Sequence, residues 1–242
     1  RRRGRDIAMI FHDPMTALTP VYPIGWQIDE QIRTHENLSR RQARARTVEL
    51  LADMGVPDPA RTAERYPHQL SGGLRQRAMI AMAVSCNPAL LIADEPTTAL
   101  AVTVQAQILE LMVKLRDSSG SSVLLITHDL GVVAETCDTT LVLYSGRLAE
   151  RSRTADLFAA PGHPYSAALL TSIPPMDGPR PHRLPAIAGA PPVPADRPQG
   201  CAFGPRCPHV HDVCTTALPP LTTIAAQHVI ACLHPWLEAA LP

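Results

Sequence analysis

A short apolar segment that ends on two adjacent acidic residues constrains the fold of this chain most strongly. In LLIADEPTTALA, residues 90–101, Asp94 and Glu95 directly follow the apolar run. Burying one carboxylate beside another is costly unless a cation or a proton donor lies opposite. A short apolar run without alternation predicts a strand covered on both faces, as in the parallel sheets of α/β domains. We therefore expect a ligand at the carboxyl edge of a parallel sheet.

Two further apolar segments extend this α/β pattern up to about Ser145. DIAMIF near the start and SVLLIT before His128 predict strands, and amphipathic helical segments separate the three strands. TLVLYSGRLAE then predicts a hairpin that turns at Ser145 and Gly146.

The predicted helices carry recognisable start and stop residues. SRRQ has the form of a capping box, in which Ser39 and Gln42 bond each other's backbone amides. Helical spacing of apolar side chains and a glycine stop at Gly55 complete this first helix; the apolar side chains are Val48, Leu51 and Met54. A second helix begins after LSGG and ends before Pro88.

Composition changes after residue 160. Of the 25 prolines, 17 lie between Pro161 and the end, together with four of the six cysteines. We therefore predict a first domain over residues 1–160, with a helical subdomain at about 26–88, and a loop-rich second module over 161–242.

Charge and hydropathy exclude some classes of partner. The 22 basic and 22 acidic residues give a net charge of zero, which provides no reason to expect nucleic acid as a partner. No apolar run approaches the roughly 18 to 20 residues that span a bilayer. We expect an intracellular protein, and the opening on Arg1, already inside a strand pattern, leads us to expect a further segment upstream.

LSGG, residues 70–73, has the composition of an anion site at a helix N-terminus. Backbone amides there attract anions, glycines allow close approach, and Ser71 adds a hydroxyl. The same residues equally form an ordinary cap and turn, so the spacing to other motifs matters. Asp94 follows Ser71 by 23 residues, and His128 ends the next strand 34 residues later. This order is typical of a nucleotide site in which Asp94 holds magnesium and Glu95 polarises water.

These motifs resemble those of ABC-type ATPases. LSGGLRQR, LLIADEPTTAL and LLITHDL resemble the signature motif, the Walker B strand and the switch histidine, and IAMIFHDPMTALTPV resembles the loop that normally carries a glutamine. GHPYSAALLTSIP and GCAFGPRCPHVHDVC are similar to the C-terminal extension of the oligopeptide, dipeptide and nickel branch of ABC importers. The resemblance implies an α/β nucleotide-binding domain with a Pro- and Cys-rich extension.

The resemblance also implies roles for particular residues. In the family, two such domains pair head to tail and sandwich each ATP between one domain's phosphate loop and the other's signature motif. Asp94 would hold Mg²⁺, Glu95 would be the general base and His128 would contact the γ-phosphate. The remaining expected nucleotide contacts are Ser71, Gly72, Gly73, Gln76 and His12.

Partners and location follow from the same resemblance. We expect a second ABC ATPase subunit, two membrane permease subunits met by the loop around His12, and indirectly a peptide-binding protein, but no nucleic acid. The chain would act peripherally at the cytoplasmic face of the cell membrane and energise peptide import.

Three positions depart from the family pattern. The phosphate loop G-x-x-x-x-G-K-[ST] is absent from this sequence, because its sole lysine, Lys114, follows Val113 within a predicted helix. We therefore expect this chain alone to bind ATP weakly or not at all. His12 replaces a glutamine, and Ala101 replaces an aspartate that communicates across the dimer.

Four cysteines in the second module predict a metal site. Five, six and seventeen residues separate them, and thiol clusters in intracellular chains bind metal more often than they form disulfides; they are Cys201, Cys207, Cys214 and Cys232. The resemblance favours a [4Fe-4S] cluster, with zinc and no metal as alternatives. Three other functions remain open: an inactive ABC remnant, a metal-binding regulatory module, and an ABC ATPase outside transport.

Overall fold

The structure is a computed structural model that describes residues 2–97, 101–174 and 185–236. The chain divides into two compact units, residues 1–128 and 129–242. This division by packing falls earlier than the domain boundary predicted at residue 160, which stays a prediction. None of the helices described is both long and apolar enough to cross a membrane.

The first unit is built on a parallel sheet of three strands. The strands are β1 (Ile7–Ile10), β2 (Leu90–Asp94) and β3 (Ser122–Ile126), in the order β1-β2-β3. All three were predicted from their apolar sequences, and the α/β architecture of this unit is confirmed. Since the strands are parallel, the residues after each strand meet at one edge of the sheet.

Six helices accompany this sheet, and several of them contribute to one apolar core. The helices are α1 (Pro14–Ala17), α2 (Ile24–His35), α3 (Arg40–Asp53), α4 (Pro59–Thr62), α5 (Gly72–Val84) and α6 (Val102–Ser119). A 3₁₀ turn, Pro67–Gln69, lies just before α5. The largest fully buried side chains of the core include Ile10, Leu18, Ile28, Leu51 and Ile80.

The predicted start and stop of α3 are confirmed. Ser39 Oγ accepts a hydrogen bond from the Gln42 amide at 3.3 Å, and Gln42 Oε1 accepts one from the Ser39 amide at 3.0 Å. The helix ends before Gly55, whose φ of 66° lies in the left-handed region that glycine adopts readily. The buried stripe differs from the predicted one, because Val48 is only half-buried while Thr47 and Leu50 are buried beside Leu51.

The prediction that both faces of the parallel sheet are covered is wrong for the described residues. Ala8 and Ile10 of β1 are buried, whereas the alternate side chains are 37 to 46% exposed; these exposed side chains are Ile7, Met9, Leu124 and Ile126. The helices therefore cover one face only. The apolar composition of the strands predicted that they are buried. It could not show whether helices of this unit pack on both faces of the sheet or on one.

The second unit contains an antiparallel sheet of four strands in the order β4-β5-β7-β6. The strands are β4 (Thr139–Tyr144), β5 (Arg147–Arg153), β6 (Thr222–Ala225) and β7 (His228–Ile230). The helices are α7 (Leu130–Thr136), α8 (Thr154–Ala159), α9 (Pro164–Thr171) and α10 (Asp212–Thr216). The hairpin predicted at Ser145 and Gly146 is confirmed, since both have positive φ values, 48° and 73°, as tight two-residue hairpins require.

Candidate functional site

The carboxyl edge of the parallel sheet gathers the residues that follow its three strands. His12 comes shortly after β1, Asp94 ends β2 and Glu95 follows it, and His128 comes shortly after β3. The Glu95 amide donates to the Ile126 carbonyl oxygen at 2.9 Å, which continues the pairing of β2 with β3 one residue beyond β2. The predicted meeting of Asp94, Glu95 and His128 at one edge is therefore observed.

Glu95 and His128 are in direct contact. Glu95 Oε1 lies 2.9 Å from His128 Nδ1. Glu95 has a φ of 44°, in the left-handed region that a residue with a side chain rarely adopts. The His128 side chain is 78% exposed and that of Glu95 is 35% exposed. A carboxylate and an imidazole held together at an open edge are suited to accept or transfer a proton of a bound ligand.

The first turn of α5 presents backbone amides at an exposed position. Ser71 is the N-cap residue, and its Oγ accepts a hydrogen bond from the Leu74 amide at 3.4 Å. The helix begins at Gly72, so the glycines form its first turn instead of preceding it as expected. Helix N-terminal amides attract anions, and α5 is long enough, at 13 residues, for this effect.

The two glycines of this turn differ in their surroundings. Within the described parts of the chain, a Cβ on Gly72 would meet no neighbouring atom within 4 Å, whereas one on Gly73 would lie 3.1 Å from Val104 Cγ1 of α6. Packing within the chain therefore accounts for a small residue at Gly73. It does not account for glycine at position 72, where the helix would tolerate a side chain.

Gln76 is placed differently from the other expected nucleotide contacts. It is almost fully buried, and its Nε2 donates to the Pro96 carbonyl oxygen at 2.5 Å. The side chain thus links α5 to the loop after β2. Its expected contact with a nucleotide stays a prediction, and sequence reasoning missed this supporting bond because it joins residues 20 positions apart.

The three departures from the family pattern have distinct surroundings. His12 is exposed at the start of the loop after β1. Ala101 is the N-cap residue of α6 and provides no side-chain bond to the helix. Lys114 lies within α6 as predicted and pairs with Glu110 at 2.8 Å, so it belongs to no phosphate loop.

Asp94 fits the requirements of a magnesium ligand. It is half-buried at the end of β2, and Mg²⁺ is bound through one or two carboxylates together with water and phosphate oxygens. A cage of several protein ligands is therefore unnecessary at this edge.

The four cysteines of the second unit line one small cavity. Its volume is about 20 Å³, room for about one water molecule. Burial, together with the smaller effect of the neighbouring thiols, raises the pKa of the Cys207 thiol and raises that of Cys232 to about 11. Cys232 Sγ donates to the His234 carbonyl oxygen at 3.0 Å.

This cavity does not fit the expected cluster. Within residues 2–97, 101–174 and 185–236, no group of three or more His, Cys, Asp or Glu side chains is placed to hold a metal ion. The iron–sulfur cluster expected from Cys201, Cys207, Cys214 and Cys232 is therefore not supported, since the space between the thiols is far smaller than an eight-atom cluster. Sequence spacing showed that the cysteines could converge, but it could not show how much room they leave.

A buried carboxylate that sequence reasoning missed organises the second unit. Glu150 of β5 accepts hydrogen bonds from the Gly162 amide at 2.6 Å and the His163 amide at 3.0 Å. Its Oε1 also lies 2.6 Å from His228 Nε2 of β7. His163 caps α9, since its Nδ1 accepts a hydrogen bond from the Tyr165 amide at 3.0 Å. The only available signal was an acidic residue within a strand pattern.

Two family models match this chain. The ABC transporter model matches residues 2–98, and the model of the oligopeptide/dipeptide transporter C-terminal region matches residues 149–214. The first matched region contains Ser71, Asp94 and Glu95, whereas His128 lies between the two regions.

Similar curated proteins cover nearly all of the chain. It is 51% identical over 230 residues to the probable peptide ABC transporter ATP-binding protein y4tR of Sinorhizobium fredii, covering 95% of this chain and 69% of that protein. It is also 51% identical over 230 residues to the oligopeptide transport ATP-binding protein AppD of Bacillus subtilis, covering 95% of this chain and 70% of that protein. The dipeptide transport ATP-binding protein DppD of Haemophilus influenzae is 47% identical, covering 99% of this chain and 72% of that protein.

Solved structures agree with these relationships. The ATP-binding cassette MJ0796 in a dimeric post-hydrolysis state, bound to ADP and Pi, matches with a TM-score of 0.56 and 27% identity. The match covers 62% of this chain and 64% of that cassette, so the chain spans just under two thirds of the cassette's length. Sequence, fold and the arrangement at the sheet edge thus agree, and the chain belongs to the ATP-binding subunits of the ABC transporter family, in the branch with an oligopeptide/dipeptide transporter C-terminal region.

Proposed function

We propose that this chain contributes to ATP hydrolysis that energises peptide import across the cytoplasmic membrane, as a peripheral subunit. The observation that carries the proposal is the contact between Glu95 and His128 at the carboxyl edge of the sheet, 2.9 Å apart. The names of the similar proteins, which describe peptide, oligopeptide and dipeptide transport, support the substrate class.

In this proposal each motif serves one side of a composite nucleotide site. Glu95 accepts a proton from the attacking water, and His128, which touches it, donates a hydrogen bond to the γ-phosphate. Asp94 would hold Mg²⁺, which supplies positive charge to the phosphate oxygens. The exposed first turn of α5 supplies amides and the Ser71 hydroxyl to a nucleotide held mainly by a second ATPase subunit.

Gly72 supports the assignment of this turn to a shared site. Glycine near the start of a helix costs conformational entropy, and none of the residues that the structure describes occupies the space of the missing Cβ. A ligand or partner that approaches the backbone closely is a physical reason for glycine here. The same reasoning does not extend to Gly73, which packs close to Val104.

A patch of exposed apolar side chains supports the proposed contact with the permease subunits. Tyr22 and Trp26 stack with ring centroids 4.1 Å apart and an interplanar angle of 17°. Phe11 and Val21 in the loop after β1 are also exposed, at 47 and 71%. Exposed apolar side chains mark interaction surfaces, and the first of these residues, Phe11, directly precedes His12 in the sequence.

The test uses the transporter assembled in lipid vesicles from this subunit, its ATPase partner and the two permeases. Replacing Glu95→Gln removes the proposed base while keeping its shape, so ATP turnover is expected to fall by about 10²- to 10⁴-fold. Glu110→Gln is the matched control, because Glu110 is an exposed glutamate on α6 that pairs with Lys114. Its turnover is expected to equal that of the wild type.

Two results would contradict the proposal. Undiminished turnover in the Glu95→Gln transporter would mean that another group acts as the base. No turnover in the wild-type transporter would identify the chain as an inactive relative.

A titration of this 242-residue chain alone is expected to show weak or no ATP binding, because its sequence contains no phosphate loop.

A further inference from the structure

The first turn of α5 is tied to the loops that follow two different strands. Gln76 bonds the loop after β2 through the Pro96 carbonyl, as described above. Arg75, the preceding residue, contacts two segments that lie before α5 in the sequence. Its Nε donates to the Pro67 carbonyl oxygen at 2.7 Å, and its Nη1 lies 2.7 Å from Sδ of Met15 in α1, the short helix within the loop after β1, residues 11–23.

We propose that Arg75 is a positioning residue that transmits movement of the loop after β1 to the amides of the signature turn, Ser71–Gly73. The inference rests on the proposed function, since it concerns how a permease-facing loop would adjust a nucleotide-contacting turn. Arg75 itself points to neither the nucleotide nor a permease in this scheme.

The contacts on the loop side form a continuous path. Asp13 caps α1, and its carboxylate accepts from the Met15 amide at 2.8 Å, so Met15 moves with the short helix that follows His12. Met15 Sδ then meets Arg75 Nη1. A thioether is a weak acceptor, so this contact can shift in response to the loop more easily than a bond to a carbonyl.

The contacts on the signature side are stiffer. The Pro67 carbonyl belongs to the 3₁₀ turn just before Ser71, so Arg75 closes the LSGG segment against its own preceding turn. A guanidinium holds its donors in a fixed planar fork, and therefore a displacement at Nη1 is carried to Nε. A lysine has one terminal nitrogen and cannot hold both partners in this geometry.

Arg77 provides a matched control on the same helix. Its Nη1 donates to the Met54 carbonyl oxygen at 2.5 Å and its Nη2 to Gln107 Oε1 at 2.7 Å, so it also bridges two segments. Neither partner belongs to the loop after β1. Arg77→Lys thus removes a comparable bridge without touching the proposed path.

The first experiment measures amide hydrogen exchange in this chain without nucleotide. Arg75→Lys and the nearly isosteric Met15→Leu are each expected to speed exchange by about 2- to 10-fold at the Leu74 amide and also at the Ala17 amide of α1. The double variant is expected to add little to either single variant. Arg77→Lys is expected to leave the Ala17 amide unchanged.

Effects of Met15→Leu confined to α1, or fully additive effects in the double variant, would overturn the proposal. Because this measurement needs no ATP, it decides the link even if the proposed function fails.

The second experiment measures ATP turnover of the assembled transporter. Arg75→Lys is expected to lower kcat several-fold with little change in the KM for ATP, since the nucleotide is held mainly by the partner. Met15→Leu is expected to lower kcat in the same sense, whereas a purely structural role would not single out these two positions over Arg77. Turnover parameters of Arg75→Lys equal to those of Arg77→Lys would overturn the proposal. No turnover by the wild-type transporter would remove the proposed function and leave the decision to the exchange measurement.

Discussion

Polar residues of the same type differ in exposure and in hydrogen bonding within this chain. His128 is open to solvent beside Glu95, whereas His163 is buried and has both ring nitrogens engaged. Its Nδ1 accepts from the Tyr165 amide, and the ring also bonds the Ala231 backbone. Burial lowers the pKa of His163 to about 4, with the nearby Glu150 opposing this shift.

This lowered pKa predicts acid sensitivity. A depressed pKa contributes stability above the unfolded value of 6.5, and this contribution is lost as the pH falls toward 4, amounting to about 3 kcal/mol. In His163→Asn the cap is kept, because asparagine is a good N-cap residue, but the titration is lost. Urea unfolding between pH 7 and 4.5 is expected to show a flatter pH dependence for this variant. Parallel curves for the two proteins would contradict the assigned cause.

At the scale of elements, the start of α6 has no side-chain cap. Ala101 occupies the N-cap position with a φ of −64° and a ψ of 145°, and it offers no side-chain acceptor. Asp, Asn and Ser are favoured at such positions because their oxygens bond the free amides of the first turn. The residue that departs from the family pattern is thus also an unfavourable cap.

Ala101→Asp is therefore expected to stabilise the chain by about 1 kcal/mol, measured by urea unfolding at pH 7. Ala106→Asp is the matched control, because Ala106 is also exposed on α6 but lies inside the helix. There the same change is expected to cost up to about 0.7 kcal/mol. Equal effects at the two positions would show that capping is not the cause.

How far the sequence predicts these elements depends on the range of the interactions that define them. The capping box at Ser39 and the turn at Ser145 involve neighbours in sequence, so residue patterns identified both. The bond from Gln76 to Pro96 and the contact of Glu95 with His128 need two segments in register, and only the shared strand edge hinted at the second. The volume of the cavity between the cysteines depends on the packing of the whole second unit. The spacing of the cysteines in sequence could not predict this volume.

At the scale of the whole molecule, the second unit depends on one buried carboxylate. Glu150 joins β5, the segment before α9 and β7, which are distant in sequence. Among the described residues of this unit, the apolar cluster whose buried members are Tyr144, Ala149 and Phe203 is small. The polar network therefore provides much of the cohesion that a larger core would otherwise supply.

Glu150→Gln is expected to destabilise the second unit by about 3 kcal/mol, because the buried donors lose their charged acceptor. Hydrogen exchange should accelerate in β5 and β7, while the amides of β2 in the first unit stay protected. Glu135→Gln, an exposed change on α7, is expected to alter stability by less than about 0.5 kcal/mol. Unchanged protection in β7 would mean that the Glu150 network is dispensable.

The parallel sheet, with helices on one face only, affects the solubility of this chain. Its other face exposes an apolar surface to water, formed by Ile7, Met9, Leu124 and Ile126. Preparations of this chain should therefore adsorb to phenyl resin, brighten hydrophobic dyes and turn cloudy at modest concentrations of ammonium sulfate.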